Sequence, residues 1–306
     1  MSENKEREGI RMGSIEKIFI ALGTVNRITA RFDGDQRDPA REALDKAEEY
    51  IEGMDDRLSV FKPESMVSRL NANAGKRDTL LDRDTFELLR LCVRYGERTG
   101  GLFDVTTKPL SDGAEESAKV DYRDLMLDEG RLSARLRNTG QGIHLGGIAK
   151  GYAVDRVAEL LQGHGVKSAV INLGGTVRNI GRSERVGIRN PFDPEKIVLS
   201  LDSVDEAVVT SGLYERGNHI FDPVSGRPAV SDLASVTVVG KDGAAADVAA
   251  TACMVSGSLR GISLLRSMGL EGVFILRDGG IFATKNIRER VKPIHTRRET
   301  LWKQDN

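Results

Sequence analysis

At 306 residues the chain is long enough to bury a full hydrophobic core, as one large unit or two small ones. Its 45 basic and 46 acidic residues nearly cancel, so nothing in the charge balance is shaped for nucleic acid or an acidic membrane surface. Apolar residues make up 39%, and no run approaches the roughly 18 needed to cross a membrane. The N-terminal stretch has neither an apolar targeting segment nor a cysteine for lipid attachment, so a cytoplasmic location is the expectation. Cys92 and Cys253 stand singly in apolar helical stretches and read as reduced core residues.

Residues 1–14 are polar and read as a loose N-terminus, 15–290 as the folded unit and 291–306 as a charged tail. Residues 17–22 and 25–32 read as paired strands around Gly23-Thr24. Asp38-Pro39 opens a helix with apolar positions at Leu44, Ala47, Ile51, Met54 and Leu58. A second helix follows Ser65, and a third runs over about 84–98 until Gly100-Gly101 stops it. Residues 111–142 are charged and irregular, with room for short strands. A helix over 148–163 precedes a strand at 168–173 that ends in Gly174-Gly175, and further strands fall near 185–189, 196–201, 206–210 and 234–240. A small-residue helix at 245–256, an amphipathic one at 259–268 and a hairpin of 272–276 with 281–284 complete the pattern. Strands and helices mix without strict alternation, so the fold class is α+β: a single compact, two-lobed unit with a mixed or antiparallel sheet and packed helices.

Four constellations carry chemistry. Gly146-Gly147 precede the 148–163 helix, where close backbone approach and unpaired N–H groups suit an anion, and Lys150 adds a positive charge in the first turn. A cation placed against the helix dipole there suggests that an anion comes to meet it, although a solvated surface lysine fits the same spacing. Asp247 and Thr251, four apart, share one helix face that the alanines between them leave open. Two hard oxygen ligands suit Mg²⁺; a capping aspartate with a packed threonine is the alternative. The segment from Thr210-Ser211-Gly212 to His219, Asp222, Gly226 and Pro228 reads as a pocket-lining loop with tight turns, or as a hairpin holding a hydrogen-bonded histidine. In the fourth, Leu102-Phe103-Asp104 follows a helix stop; Phe103 could pack on a planar ring and Asp104 accept from a ribityl or ribose hydroxyl, or they could be a core phenylalanine and a turn-capping aspartate.

Taken together and in this order, the motifs resemble the ApbE-type FAD:protein FMN transferases. The resemblance runs from about Leu22 to Leu276, through Leu22-Gly23-Thr24, residues 58–65 with Arg69-Leu70-Asn71, residues 103–106, 145–155 and 172–175, Thr210-Ser211-Gly212, 219–228 and 247–251. It implies an α+β fold and transfer of FMN from FAD, held with Mg²⁺ (Mn²⁺ as a substitute), to a serine or threonine hydroxyl of a target flavoprotein, with AMP leaving. By motif position it implies Asp247 and Thr251 as side-chain metal ligands, with a backbone carbonyl from Gly147. Lys150 would neutralise the pyrophosphate, and Leu22, Phe61 and Leu102, Phe103 and Asp104 would contact flavin or adenosine. His219 is the candidate base for the acceptor hydroxyl. One position departs: the family pattern has aspartate where this chain has His144, at the opening of the glycine motif, where a cofactor contact is expected.

Two other functions fit the same motifs. Water in place of a protein hydroxyl gives a Mg²⁺-dependent FAD pyrophosphatase yielding FMN and AMP. Loss of chemistry gives a flavin binder, against which the intact Asp247 and Thr251 pair argues. The resemblance implies acceptors with a Ser/Thr-Gly-Ala/Ser-Thr motif. Gly174-Gly175-Thr176 lacks the first hydroxyl residue, so a separate acceptor protein is expected.

Overall fold

A computed structural model describes residues 12–113, 119–213 and 220–294. Its frame is an eight-stranded sheet in which every neighbouring pair runs antiparallel. The strands are β1 (Met12–Ala21), β2 (Thr24–Asp33), β6 (Ser168–Leu173), β7 (Thr176–Ile180), β10 (Ala207–Gly212), β11 (Leu233–Gly240), β12 (Glu271–Leu276) and β13 (Ile281–Ala283), in that spatial order. Smaller sheets join β3 (Thr79–Leu80) with β4 (Leu125–Asp128) and β5 (Ser133–Leu136), and β8 (Glu184–Asn190) with β9 (Asp193–Ser203) and β14 (Val291–Pro293).

One face of the main sheet is covered by helices. α1 (Arg37–Leu58) turns Leu44, Ala47, Ile51, Met54 and Leu58 inward, as their helical spacing requires. α2 (Met66–Ala72) and α3 (Arg83–Arg98) begin on side-chain caps, Ser65 accepting from Ser68 N–H and Asp82 from Thr85 N–H. A short α4 (Lys108–Ser111) leads toward α5 (Ala149–Gly163), and α6 (Gly243–Ser256) is followed by α7 (Ser258–Met268). α6 is apolar almost all round, which a helix tolerates only when it is enclosed; Ala246, Val248, Ala249, Ala250 and Cys253 are fully buried. On the other face of the sheet, Ile188, Leu199 and Leu201 pack against Val208, Val239, Val273 and Ile275. Cys92 and Cys253 are free and buried, as expected.

Several bounds differ from the sequence reading. The first hairpin turns at Leu22-Gly23 rather than Gly23-Thr24, with Ala21 opposite Thr24 and both turn residues at positive φ (54° and 69°). A two-residue turn of this hand matches the twist of the flanking strands, which outweighs the cost of placing a leucine there. β1 reaches back to Met12, and β14 pairs Val291 with Leu201 inside the segment that reads as a charged tail. β7 was not anticipated; Gly174-Gly175 is the hairpin turn that folds it onto β6.

Candidate active site

The centre of the site is the crossing of α5 and α6. Both helices carry Gly-x-x-x-Asp, Gly151 to Asp155 on one and Gly243 to Asp247 on the other. The glycines face each other: a Cβ at Gly151 would lie 2.2 Å from Gly243 O, and one at Gly243 would lie 2.7 Å from Gly151 O. Only hydrogen on both sides permits this approach. It brings each helix start against the other helix's carboxylate. Gly151 N–H donates to Asp247 Oδ2 (2.9 Å), and Gly243 and Ala244 N–H donate to Asp155 Oδ2 (2.8 and 3.1 Å). These donors belong to the first turn of each helix, where no intrahelical acceptor exists. Asp247 therefore does not cap its own helix; Asp242 does, through Ala245 N–H (2.7 Å), while accepting from Tyr95 OH (2.9 Å).

One turn further along, the glycine loop meets Thr251. A Cβ at Gly147 would stand 2.7 Å from Thr251 Oγ1 and 3.3 Å from Phe103 Cε2. Gly147, Thr251, Asp247, Lys150 and Phe103 are thus brought together from three separate stretches of chain. Burial holds the Asp247 carboxyl above its ordinary value, while the Lys150 charge and the Gly151 N–H pull it down. Asp155 is pushed up to about 7, again first by burial, with Arg178 opposing at 2.6 Å. Among the described residues no three His, Cys, Asp or Glu side chains gather as a metal group. The donors that do gather are hard oxygens: the Asp247 carboxylate, the Thr251 hydroxyl and the backbone at Gly147.

Asp104 is buried, and its carboxylate accepts from Thr106 N–H (2.7 Å), Thr106 Oγ1 (2.6 Å) and Tyr122 N–H (2.8 Å). Its side chain shapes the loop that carries Phe103. Phe103 itself is buried and Leu102 half-buried. His144 backbone N–H donates to Val105 O (3.0 Å), and its ring lies 3.1 Å from Thr107 Oγ1. Asn71 clamps the neighbouring Ile143, accepting from its N–H (2.7 Å) and donating to its carbonyl (2.9 Å).

A second group joins the first hairpin to the loop after α1. Asp55 accepts from Leu22 N–H (3.0 Å) and pairs with Lys62 (2.5 Å), so Leu22 and the Phe61-Lys62 segment share one anchor. Phe61 is 89% exposed, a large apolar ring left for something other than the core. His219 lies outside the described residues. The turns expected beyond it are present: Asp222 accepts from Val224 N–H (3.0 Å), and Phe221 bridges Pro228.

Sequence reasoning assigned no role to Asp155, Asp55, Asn71 or Arg178. The repeated Gly-x-x-x-Asp was a readable signal for the first. Nothing local told what the other three would hold, since their side-chain partners, Lys62 apart, lie at least 23 positions away.

The ApbE family pattern matches residues 22–274. The chain is 30% identical to the FAD:protein FMN transferase of Treponema pallidum over 94% of its own length and 91% of that protein's. It is 30% identical to a protein of the same name from Klebsiella pneumoniae, covering 80% and 86%. In three dimensions it superposes on the ApbE protein of Thermotoga maritima with a TM-score of 0.82 at 25% identity, covering 91% and 99%. The apo flavinyl transferase ApbE of Pseudomonas stutzeri gives 0.79 at 26% identity, covering 92% and 97%. By the span of that match and the extent of its relatives, the chain belongs to the ApbE family.

Proposed function

We propose that this chain transfers FMN from FAD to a serine or threonine hydroxyl of a separate flavoprotein, releasing AMP, with Mg²⁺ as the supporting cation. The observation that carries the reading is the meeting of Gly147 with Thr251 Oγ1, beside the buried Asp247 and at the lysine-bearing start of α5. Asp247, Thr251 and the Gly147 backbone suit a hard divalent cation, as a buried carboxylate beside a hydroxyl offers oxygen alone. When bound, that cation would neutralise pyrophosphate charge.

The protein's own groups do the rest. Lys150 offers a positive charge to the pyrophosphate, and the exposed Phe61 and the Leu22 turn offer apolar surface to a ring system. The acceptor oxygen attacks the FMN phosphorus, the bond from that phosphorus to the AMP phosphate oxygen breaks, and the hydroxyl proton passes to His219 as base. Such a transfer needs alignment and charge neutralisation more than covalent help.

The test is incubation of the purified chain with FAD, Mg²⁺ and a tagged acceptor carrying a Ser/Thr-Gly-Ala/Ser-Thr segment, with products weighed by mass spectrometry. A gain of one FMN phosphoester on the acceptor, with equimolar AMP, is expected. Free FMN with an unmodified acceptor would replace this reading with a pyrophosphatase. FAD bound but intact would replace it with a flavin binder.

A further inference from the structure

His144 stands at the opening of the glycine motif, and its ring links two segments. Thr107 Oγ1 donates to Asp104 O (3.2 Å), which commits the threonine's single proton. The contact of 3.1 Å between Thr107 Oγ1 and His144 Nε2 must then carry a proton from the histidine. Gly146 N–H donates to Nδ1 from 3.4 Å, which needs a lone pair on Nδ1 and agrees with the ring proton lying on Nε2. The three bonds form one directed chain, from Gly146 N–H to His144, from His144 to Thr107, and from Thr107 to the Asp104 carbonyl.

We propose that His144 is a positioning residue in which Nδ1 does the work of a short side-chain acceptor in an Asx-type turn, holding the N–H two residues on. An aspartate or asparagine oxygen at position 144 would occupy the same place relative to Gly146. Histidine keeps that bond and adds a second one, from Nε2 to Thr107, that a shorter side chain cannot reach. It thereby fastens the glycine loop to the Phe103–Thr107 segment, the two stretches that flank Gly147. Phe103 Cε2 and Thr251 Oγ1 crowd the site of a Cβ on Gly147, so the loop has little freedom to drift without changing that contact. The functional consequence, tighter FAD binding through a fixed Gly147, rests on the transferase reading above; the hydrogen-bond assignment does not.

Imidazole-¹⁵N-labelled protein gives a direct test, the His144 resonance being identified by its loss in His144→Asn. Long-range ¹H–¹⁵N correlations should show protonated Nε2 and bare Nδ1 near neutral pH. Exchange of the Gly146 amide should stay close to the parent's in His144→Asn and accelerate by about fivefold in His144→Ala, the change expected for one lost hydrogen bond. The FAD dissociation constant measured with Mg²⁺ should rise from the parent to His144→Asn, which loses the bond to Thr107, and rise again in His144→Ala, which loses both bonds. A Nδ1–H tautomer, or equal Gly146 exchange in the Asn and Ala variants, would overturn the assignment. FAD binding absent from the parent would instead remove the transferase reading while leaving the tautomer and exchange results to decide His144.

Discussion

Asp155 and Asp247 each cap the helix on which the other resides. Asp247 of α6 receives Gly151 N–H from the first turn of α5, and Asp155 of α5 receives Gly243 and Ala244 N–H from the first turn of α6. The exchange is a local two-fold relation carried by the Gly-x-x-x-Asp that both helices share, but the surroundings break it. Asp155 is paired with Arg178 at 2.6 Å, whereas Asp247 has Lys150 as its nearby countercharge and Thr251 one turn on. One aspartate is tied into the sheet; the other faces a group of oxygen donors. This division suggests how substitutions at the two positions should differ.

For Asp247, the structural and metal roles separate by choice of replacement. Asp247→Asn keeps an oxygen for Gly151 N–H but removes the charge, so its melting temperature should stay close to the parent's while FMN transfer falls by at least about a hundredfold at low millimolar Mg²⁺. Asp247→Ala should lose the same activity and, in addition, about 1 kcal/mol of stability through the missing cap. EDTA should abolish parent turnover, and Mg²⁺ or Mn²⁺ should restore it. An Asn variant with full activity would refute the metal assignment.

Asp155 supplies a pH signature. Its folded value, about 7, lies above the ordinary 3.8, so the folded state holds a proton that the unfolded chain releases over that interval. Its contribution is complete below 3.8 and is lost as pH rises through about 7. Asp155→Asn retains an acceptor for the α6 N–H groups but cannot titrate. The melting temperature of the parent minus that of the variant should therefore decline between about pH 4 and about pH 8. A difference that stays flat or rises contradicts the assignment.

The two glycines beside the crossing should respond differently to alanine. At Gly151 a methyl would meet backbone, 2.2 Å from Gly243 O, and the helices would have to separate. Gly151→Ala should cost about 3 kcal/mol or more, near the upper end for overpacking, and lower the melting temperature accordingly. At Gly147 the nearest obstacle is the Thr251 side chain, 2.7 Å away, which can rotate. Gly147→Ala should keep most of its stability, within about 1 kcal/mol, while losing FMN transfer because Thr251 Oγ1 has been displaced. Differential scanning calorimetry beside an activity assay distinguishes the pair.

Lys150 sits in the first turn of α5 and is half-buried, so its removal takes little from the core. Lys150→Ala should leave the melting temperature nearly unchanged and weaken FAD affinity, transfer rate or both by at least about tenfold, the loss of one charge-assisted contact. Affinity and rate both within about twofold of the parent would remove the pyrophosphate role.

Periodicity made much of the frame legible. The apolar spacing from Leu44 to Leu58 gave α1, the small-residue run gave α6, and alternation gave most of the sheet. β7 escaped because Thr176–Ile180 carries an arginine and an asparagine, although its neighbours in the sheet bury most of it. β14 escaped because three residues beside charged ones leave no pattern, and only pairing with β9 defines them. Of the site, Gly147, Lys150, Asp247 and Thr251 could be assembled because their motifs are short and chemically pointed. Asp104 was legible as a functional candidate but not as a side chain engaged by Thr106 and Tyr122, since Tyr122 is eighteen positions away. Asp55 and Asn71 needed the fold itself: each acts by gripping backbone from a distant segment.

The crossed caps also set an order on assembly during synthesis. Gly151 and Asp247 are 96 positions apart in the chain, so a nascent polypeptide that has emerged only as far as β10 must leave the first turn of α5 without this carboxylate. Contacts of such separation close late because the intervening loop loses entropy before they form. Thr251, still further along, completes the oxygen group at Gly147 only after α6 has docked. The lysine-bearing helix start is thus withheld from its partners until most of the protein exists, and truncation products ending before residue 243 should neither bind FAD tightly nor survive proteolysis as well as the full chain.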